Sequence, residues 1–131
     1  MVKFGYTINY VSDVDMALSF FEKAFEMKRR FITEENDYGE LGTGETVLAF
    51  ASHKLGLSNF SGGYISATES DKPFGIEIAL VTDDVSAIHQ RAIQHGATEL
   101  KSPETKPWGQ IVSYIRCPSG ILIELCTPVK D

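Results

Sequence analysis

The chain has 131 residues, 43% hydrophobic and 23% charged, with a formal net charge of −6. That is enough for one compact domain, or for two half-size modules that need each other, and too apolar for a disordered chain. An acidic balance with no basic cluster longer than Lys28-Arg29-Arg30 speaks against nucleic acid, and no apolar run approaches the roughly 20 residues of a membrane span.

Residues 4–11 alternate and read as a strand, led directly by Met1-Val2-Lys3-Phe4 without an apolar leader, so a cytoplasmic protein is expected. Ser12 reads as an N-cap with Asp15 as its capping-box partner. Val14, Leu18, Phe21 and Phe25 then recur at helical spacing over residues 13–26. Residues 28–34 read as a strand whose basic triplet is either a solvated start or an anion contact. Asn36 to Gly39 reads as a turn, followed by strands near 38–42 and 46–52. Residues 53–73, rich in Gly and Ser, read as a linker, long enough to suggest a lid or binding loop. A strand is expected at 75–82, and a helix at 84–95 ending at Gly96. A short strand near 98–101, a loop at 102–107 and strands at 109–116 and 121–127 complete the chain.

This order is one pattern used twice, at an offset of 71 residues. Tyr6 to Val11 followed by Ser12-Asp13-Val14 matches Glu77 to Thr82 followed by Asp83-Asp84-Val85. The expected organisation is a single domain over 1–131: module one at 1–52, the linker at 53–73 and module two at 74–131. Each module is βαβββ, giving eight strands and two helices in an α+β fold around a shared cleft.

Strand alternation assigns the faces. Ile76, Ile78 and Leu80, with Ile121, Ile123 and Leu125, are aliphatic and should carry the helix. Glu77 and Glu124 then share the opposite face, and carboxylates in half-buried strands call for partners. The matching face of module one is Tyr6, Ile8 and Tyr10 with Val47, Ala49 and Ala51. Tyr6 aligns with Glu77, and either Ala49 or Leu48 with Glu124, according to turn length. That half is expected to be aromatic and small-aliphatic, suited to a flat or apolar ligand.

The remaining candidates are read as follows. His53 lies on the alternation of Ala49 and Ala51, as a rim residue or a surface loop residue; His89 and His95 read as exposed or C-terminal helix residues. Trp108 is a stacking platform or a packing residue, Gln110 points toward the cleft, and Phe60 and Tyr64 either close over a ligand or pack the linker down. Cys117 and Cys126 lack metal-knuckle spacing and read as free thiols.

These modules, with Val11-Ser12-Asp13-Val14, Ser19-Phe20-Phe21-Glu22-Lys23, Phe74 to Leu80, Pro107-Trp108-Gly109-Gln110 and Arg116 to Leu125, resemble the glyoxalase/bleomycin-resistance/dioxygenase (vicinal oxygen chelate) superfamily over essentially the whole chain. Enzymes of that family hold a divalent metal with four side chains, and the matching positions here are Tyr6, Ala49, Glu77 and Glu124, of which a phenol and a methyl supply little and only Glu77 and Glu124 are candidate ligands. Only Glu124 is the family's usual ligand; Cys117 stands where the family's turn has Asp. The resemblance also places Trp108 near the ligand cleft.

Three readings follow. The first is a metal-free homodimer that sequesters an aromatic or apolar small molecule such as an antibiotic, through Tyr6, Ile8, Ala49, Trp108, Gln110, Phe60 and Tyr64. The second is a lyase, isomerase or dioxygenase in which Glu77 and Glu124 hold Mg²⁺ or Mn²⁺ and serve catalysis. A structural dimer without ligand is a third. If the two acids lie close together without a cation, one pKa should rise.

Overall fold

The computed structural model describes residues 1–129. They divide into two compact units, Met1–Ser66 and a second that begins at Ala67.

In the first unit the order is β1 (Tyr6–Val11), α1 (Val14–Phe25), β2 (Lys28–Ile32), β3 (Tyr38–Gly42), β4 (Val47–Ser52) and α2 (His53–Asn59). The sheet runs β1-β4-β3-β2, with β1 parallel to β4 and the other pairs antiparallel. Asp13, not Ser12, caps α1: its carboxylate accepts from the Met16 N–H, and this bond and Asn36 hold it below the usual carboxylate range. Asp15 is occupied elsewhere, in an ion pair with Arg29 at 2.7 Å. Val14, Leu18 and Phe21 put the apolar stripe of α1 on the sheet, where Phe21 meets Phe50 with ring centroids 5.2 Å apart. Burial of each such side chain stabilises by about 1.5–3 kcal/mol. The helix sits close because β3 offers Gly39 there; a Cβ at 39 would lie 2.6 Å from Leu18 Cδ1.

The basic triplet is not simply a solvated strand start. Arg29 is pulled down beside α1, where its guanidinium bonds Asp15, Glu22 and Ser19. The expected loop from residue 53 also needs correction. It opens with α2, because Ser52 accepts from the Leu55 N–H and caps a short helix despite the glycine at 56. His53 is therefore a helix residue, not a continuation of the strand.

In the second unit a 3-10 turn (Ala67–Glu69) precedes β5 (Glu77–Val81), α3 (Val85–Gln94), β6 (Thr98–Thr105), β7 (Ile111–Arg116) and β8 (Leu122–Cys126). The sheet order β5-β8-β7-β6 repeats that of the first unit. The described chain thus has three α-helices, not two. Residues 102–105, expected in a loop, belong to β6. This is an edge strand with two register shifts, where Pro103 forfeits little pairing. Val85, Ala92, Ile115, Ile123 and Leu125 are buried in this unit.

His89 corrects another expectation: it is buried, not exposed. Its Nδ1 lies 2.9 Å from Ser113 Oγ and its Nε2 2.7 Å from Glu99 Oε2, tying α3 to β7 and β6. Arg116 fastens the entry to the unit. Its guanidinium donates to the carbonyls of Ala67, Ser70, Asp71 and Gly120.

Candidate functional site

The sheet of the second unit has one face under α3, which contacts β6, β7 and β8. On the other face the register sets Glu124 opposite Ala79 on β5 and opposite Tyr114 on β7. Glu77, two residues from Ala79, is the diagonal neighbour of Glu124, within reach of a long side chain. The carboxyls interact. Burial first, then the charge of Glu124 and a hydrogen bond to it, push Glu77 above the usual carboxyl range.

Tyr114 completes the group. Its phenol donates to Glu124 Oε1 at 2.8 Å, and that bond, with burial, pushes its pKa up to about 12. Burial, then Glu124, raises the Cys126 thiol, which donates to the Leu80 carbonyl. Sequence reasoning missed Tyr114. The signal was available: position 114 has the same parity as Arg116 and Val112 on a strand antiparallel to the one carrying Glu124, but the pairing partner cannot be read from one strand.

In the first unit, Tyr6, Ile8 and Tyr10 pair with Val47, Ala49 and Ala51 on the face away from α1. Ile8 opposite Ala49 repeats Ala79 opposite Glu124, so Ala49 is the counterpart of Glu124, and Leu48 lies on the helix side with Leu41. Tyr6 and Ile8 are exposed on the edge strand and Ala49 is buried.

This face is not purely aromatic and aliphatic, as the sequence suggested. Glu40 on β3 stands opposite Ala49 and is only 13% exposed. It accepts from the Tyr38 phenol at 2.7 Å, and Arg30 Nε lies 3.4 Å away. Burial first, then Glu40, raises Tyr38 strongly. The bulge between Arg29 and Phe31 turns Arg30 to this side.

The other candidates scatter. Trp108 is 67% exposed in the turn between β6 and β7, where its Nε1 donates to Gln110 Oε1 at 2.9 Å; Gln110 in turn donates to the Thr127 carbonyl. Trp108 lies outside β7, six positions before Tyr114. Tyr64 stacks on Tyr10 and lies 2.7 Å from His53 Nδ1, and Phe60 is exposed beside it. Both cysteines are free and buried.

A family metal site needs four donors. Among the described residues, no three His, Cys, Asp or Glu side chains group as a metal would require. Ala49 has no donor atom and Tyr6 offers a phenol, which binds a cation poorly unless it ionises. Glu124 is already hydrogen-bonded to Tyr114. The donor set does not fit the four-ligand centre.

Two βαβββ units, each with a helix on one face of its sheet and candidate ligand-facing side chains on the other, define an α+β protein of paired-module type. The chain belongs to the Glyoxalase/Bleomycin resistance protein/Dioxygenase superfamily, whose model matches residues 3–125. It is similar in fold to a glyoxalase-related enzyme from Fulvimarina pelagi, at 15% identity and TM-score 0.81, over 98% of this chain and 89% of that one. A glyoxalase/bleomycin resistance protein/dioxygenase family enzyme from Burkholderia phytofirmans PsJN is similar at 19% identity and TM-score 0.72, over 96% and 98% of the two chains. A superfamily member from Sphaerobacter thermophilus is similar at 22% identity and TM-score 0.71, over 98% of each chain. No curated protein matches the sequence.

Proposed function

We propose that this protein binds and sequesters a small aromatic or apolar compound, such as an antibiotic, without a metal ion. The observation that carries this reading is the state of Glu77 and Glu124. They interact with each other, and Glu124 also accepts from Tyr114, while their counterparts in the first unit are a phenol and a methyl group. Such a set offers hydrogen bonds and negative charge, with little to polarise a substrate oxygen.

In the first unit, Tyr6, Ile8 and Tyr10 supply apolar contact area on the face away from α1. A homodimer in the cytoplasm is part of this reading. It is supported by β1 and β5, each an edge strand of its own sheet, carrying the exposed Tyr6, Ile8 and Val81.

Isothermal calorimetry with Mn²⁺ and with Zn²⁺ tests the reading. The expected result is no saturable one-site binding tighter than about 10 μM, the range of a weak two-carboxylate site. Tight stoichiometric binding that disappears in Glu124→Ala would overturn it in favour of a metal-dependent enzyme.

A further inference from the structure

Beside the sheet of the first unit, Tyr64 fills a place shaped for a phenol. Its ring stacks on Tyr10 with centroids 4.7 Å apart and planes 23° from parallel. Its hydroxyl lies 2.7 Å from His53 Nδ1, and His53 Nε2 lies 3.3 Å from Ser66 Oγ. The floor is Gly56 of α2. A Cβ there would stand 2.8 Å from Tyr10 Cδ1 and 2.9 Å from the Tyr64 oxygen, so only glycine leaves room for both. Asn59 Nδ2 reaches the Tyr10 hydroxyl at 3.5 Å, the outer limit of a hydrogen bond.

The occupant comes from a segment built to move little of the fold with it. Phe60, Ser61 and Gly62 are exposed, nothing lies within 4 Å of a Cβ placed on Gly62, and Gly63 has a left-handed φ of +68°. Tyr10 itself belongs to the row Tyr6, Ile8, Tyr10 on the face away from α1. The place held by Tyr64 is therefore continuous with the face on which the proposed ligand would lie.

We propose that Tyr10, Gly56 and His53 form a phenol-recognition site, and that a phenolic ligand takes it by displacing Tyr64. The site reads the chemistry of its resident: a flat ring for Tyr10, a hydroxyl for His53, and no bulk toward Gly56. Burial and the neighbouring Tyr10 raise the Tyr64 pKa, so the resident is the neutral phenol, and a neutral phenol is what it should accept. The inference rests on the small-molecule reading and narrows its ligand class.

p-Cresol, the side chain of tyrosine as a free molecule, is the probe. Titrated into the wild-type protein and followed by ¹⁵N–¹H correlation spectra, it is expected to shift the Gly56, Gly63 and Tyr64 amides saturably. Tyr64→Ala, which vacates the site, should bind it about tenfold tighter, and should prefer it to toluene by about fivefold, the worth of one net hydrogen bond. His53→Phe should erase that preference.

If Tyr64→Ala does not fold, Tyr64→Phe serves. It keeps the stack, drops the hydroxyl, and should yield to p-cresol more readily than wild type. Binding by Tyr64→Ala with no shifts in the wild-type protein would overturn the inference, since the site would then be only a cavity made by the substitution. Shifts confined to amides around Glu77 and Glu124 would overturn it while leaving the small-molecule reading intact. Conversely, saturation at Gly56 and Gly63 together with tight Mn²⁺ binding would sink that reading and keep the phenol site.

Discussion

The Tyr114 phenol donates a hydrogen bond to Glu124 Oε1 across the β7–β8 ladder at 2.8 Å. That bond and burial push the Tyr114 pKa up to about 12. Tyr38, buried and bonded to Glu40, is raised further. Absorbance at 295 nm should therefore show Tyr114 and Tyr38 ionising only well above the ordinary tyrosine range. Raised phenol pKa values mean their share of stability is intact below the ordinary tyrosine range and is lost as pH climbs through the folded-state values. Glu124→Gln should bring Tyr114 down and Glu40→Gln should bring Tyr38 down, each leaving the other in place.

Glu77 has the same consequence at the acid end, in the carboxyl range. Its folded-state pKa is above the ordinary carboxyl value, so the folded protein favours its protonated form. The group is most favourable to folding below the ordinary carboxyl range, and stability declines as pH rises through its raised value. Glu77→Gln should then raise the melting temperature at neutral pH, and the gain should vanish in acid. The side chain is exposed, so solvent screening keeps the gain below about 1 kcal/mol. Thermal melts of both proteins across the acid range check the sign.

Arg116 and Gly120 together hold the start of the second unit. Gly120 has φ +87°, and a Cβ there would lie 2.6 Å from the Ala67 carbonyl oxygen. Both Gly120→Ala and Arg116→Ala should destabilise by about 1–3 kcal/mol, the first by strain and collision, the second by stripping a charged donor from several carbonyls. Denaturant melts give the cost. Limited proteolysis should show new cleavage within residues 67–71.

Ser113, His89 and Glu99 line up as a nucleophile, a base and an orienting acid would, at 2.9 and 2.7 Å. Ser113 is nevertheless wholly buried. A fluorophosphonate that labels active serines should leave it untouched in the folded protein. The row is structural, and Ser113→Ala should cost about 1–3 kcal/mol by leaving a buried imidazole nitrogen without its partner. Labelling of Ser113 would show that the burial does not hold in solution.

Much of the fold was legible because it rests on local chemistry. The apolar spacing of Val14, Leu18 and Phe21 marked α1, and the alternation in residues 77–81 separated Glu77 from Ile78 and Leu80. The elements misread were those in which a local signal was outweighed. Ser102 and Pro103 look like a loop, but an edge strand tolerates both. Gly56 looks like a linker residue, but it lies in α2, where a Cβ would collide with Tyr10 and Tyr64.

The sequence by itself determined the repeated βαβββ order and which strand residues share a side, since both follow from periods of about 3.6 and 2 along a single segment. Only the tertiary structure decided who meets whom: Glu124 with Tyr114, Glu40 with Tyr38 and Arg30, Tyr64 with Tyr10, Asp15 with Arg29. Those meetings depend on strand order, register and one bulge, which are settled by packing between segments far apart in the chain, and no single segment carries them.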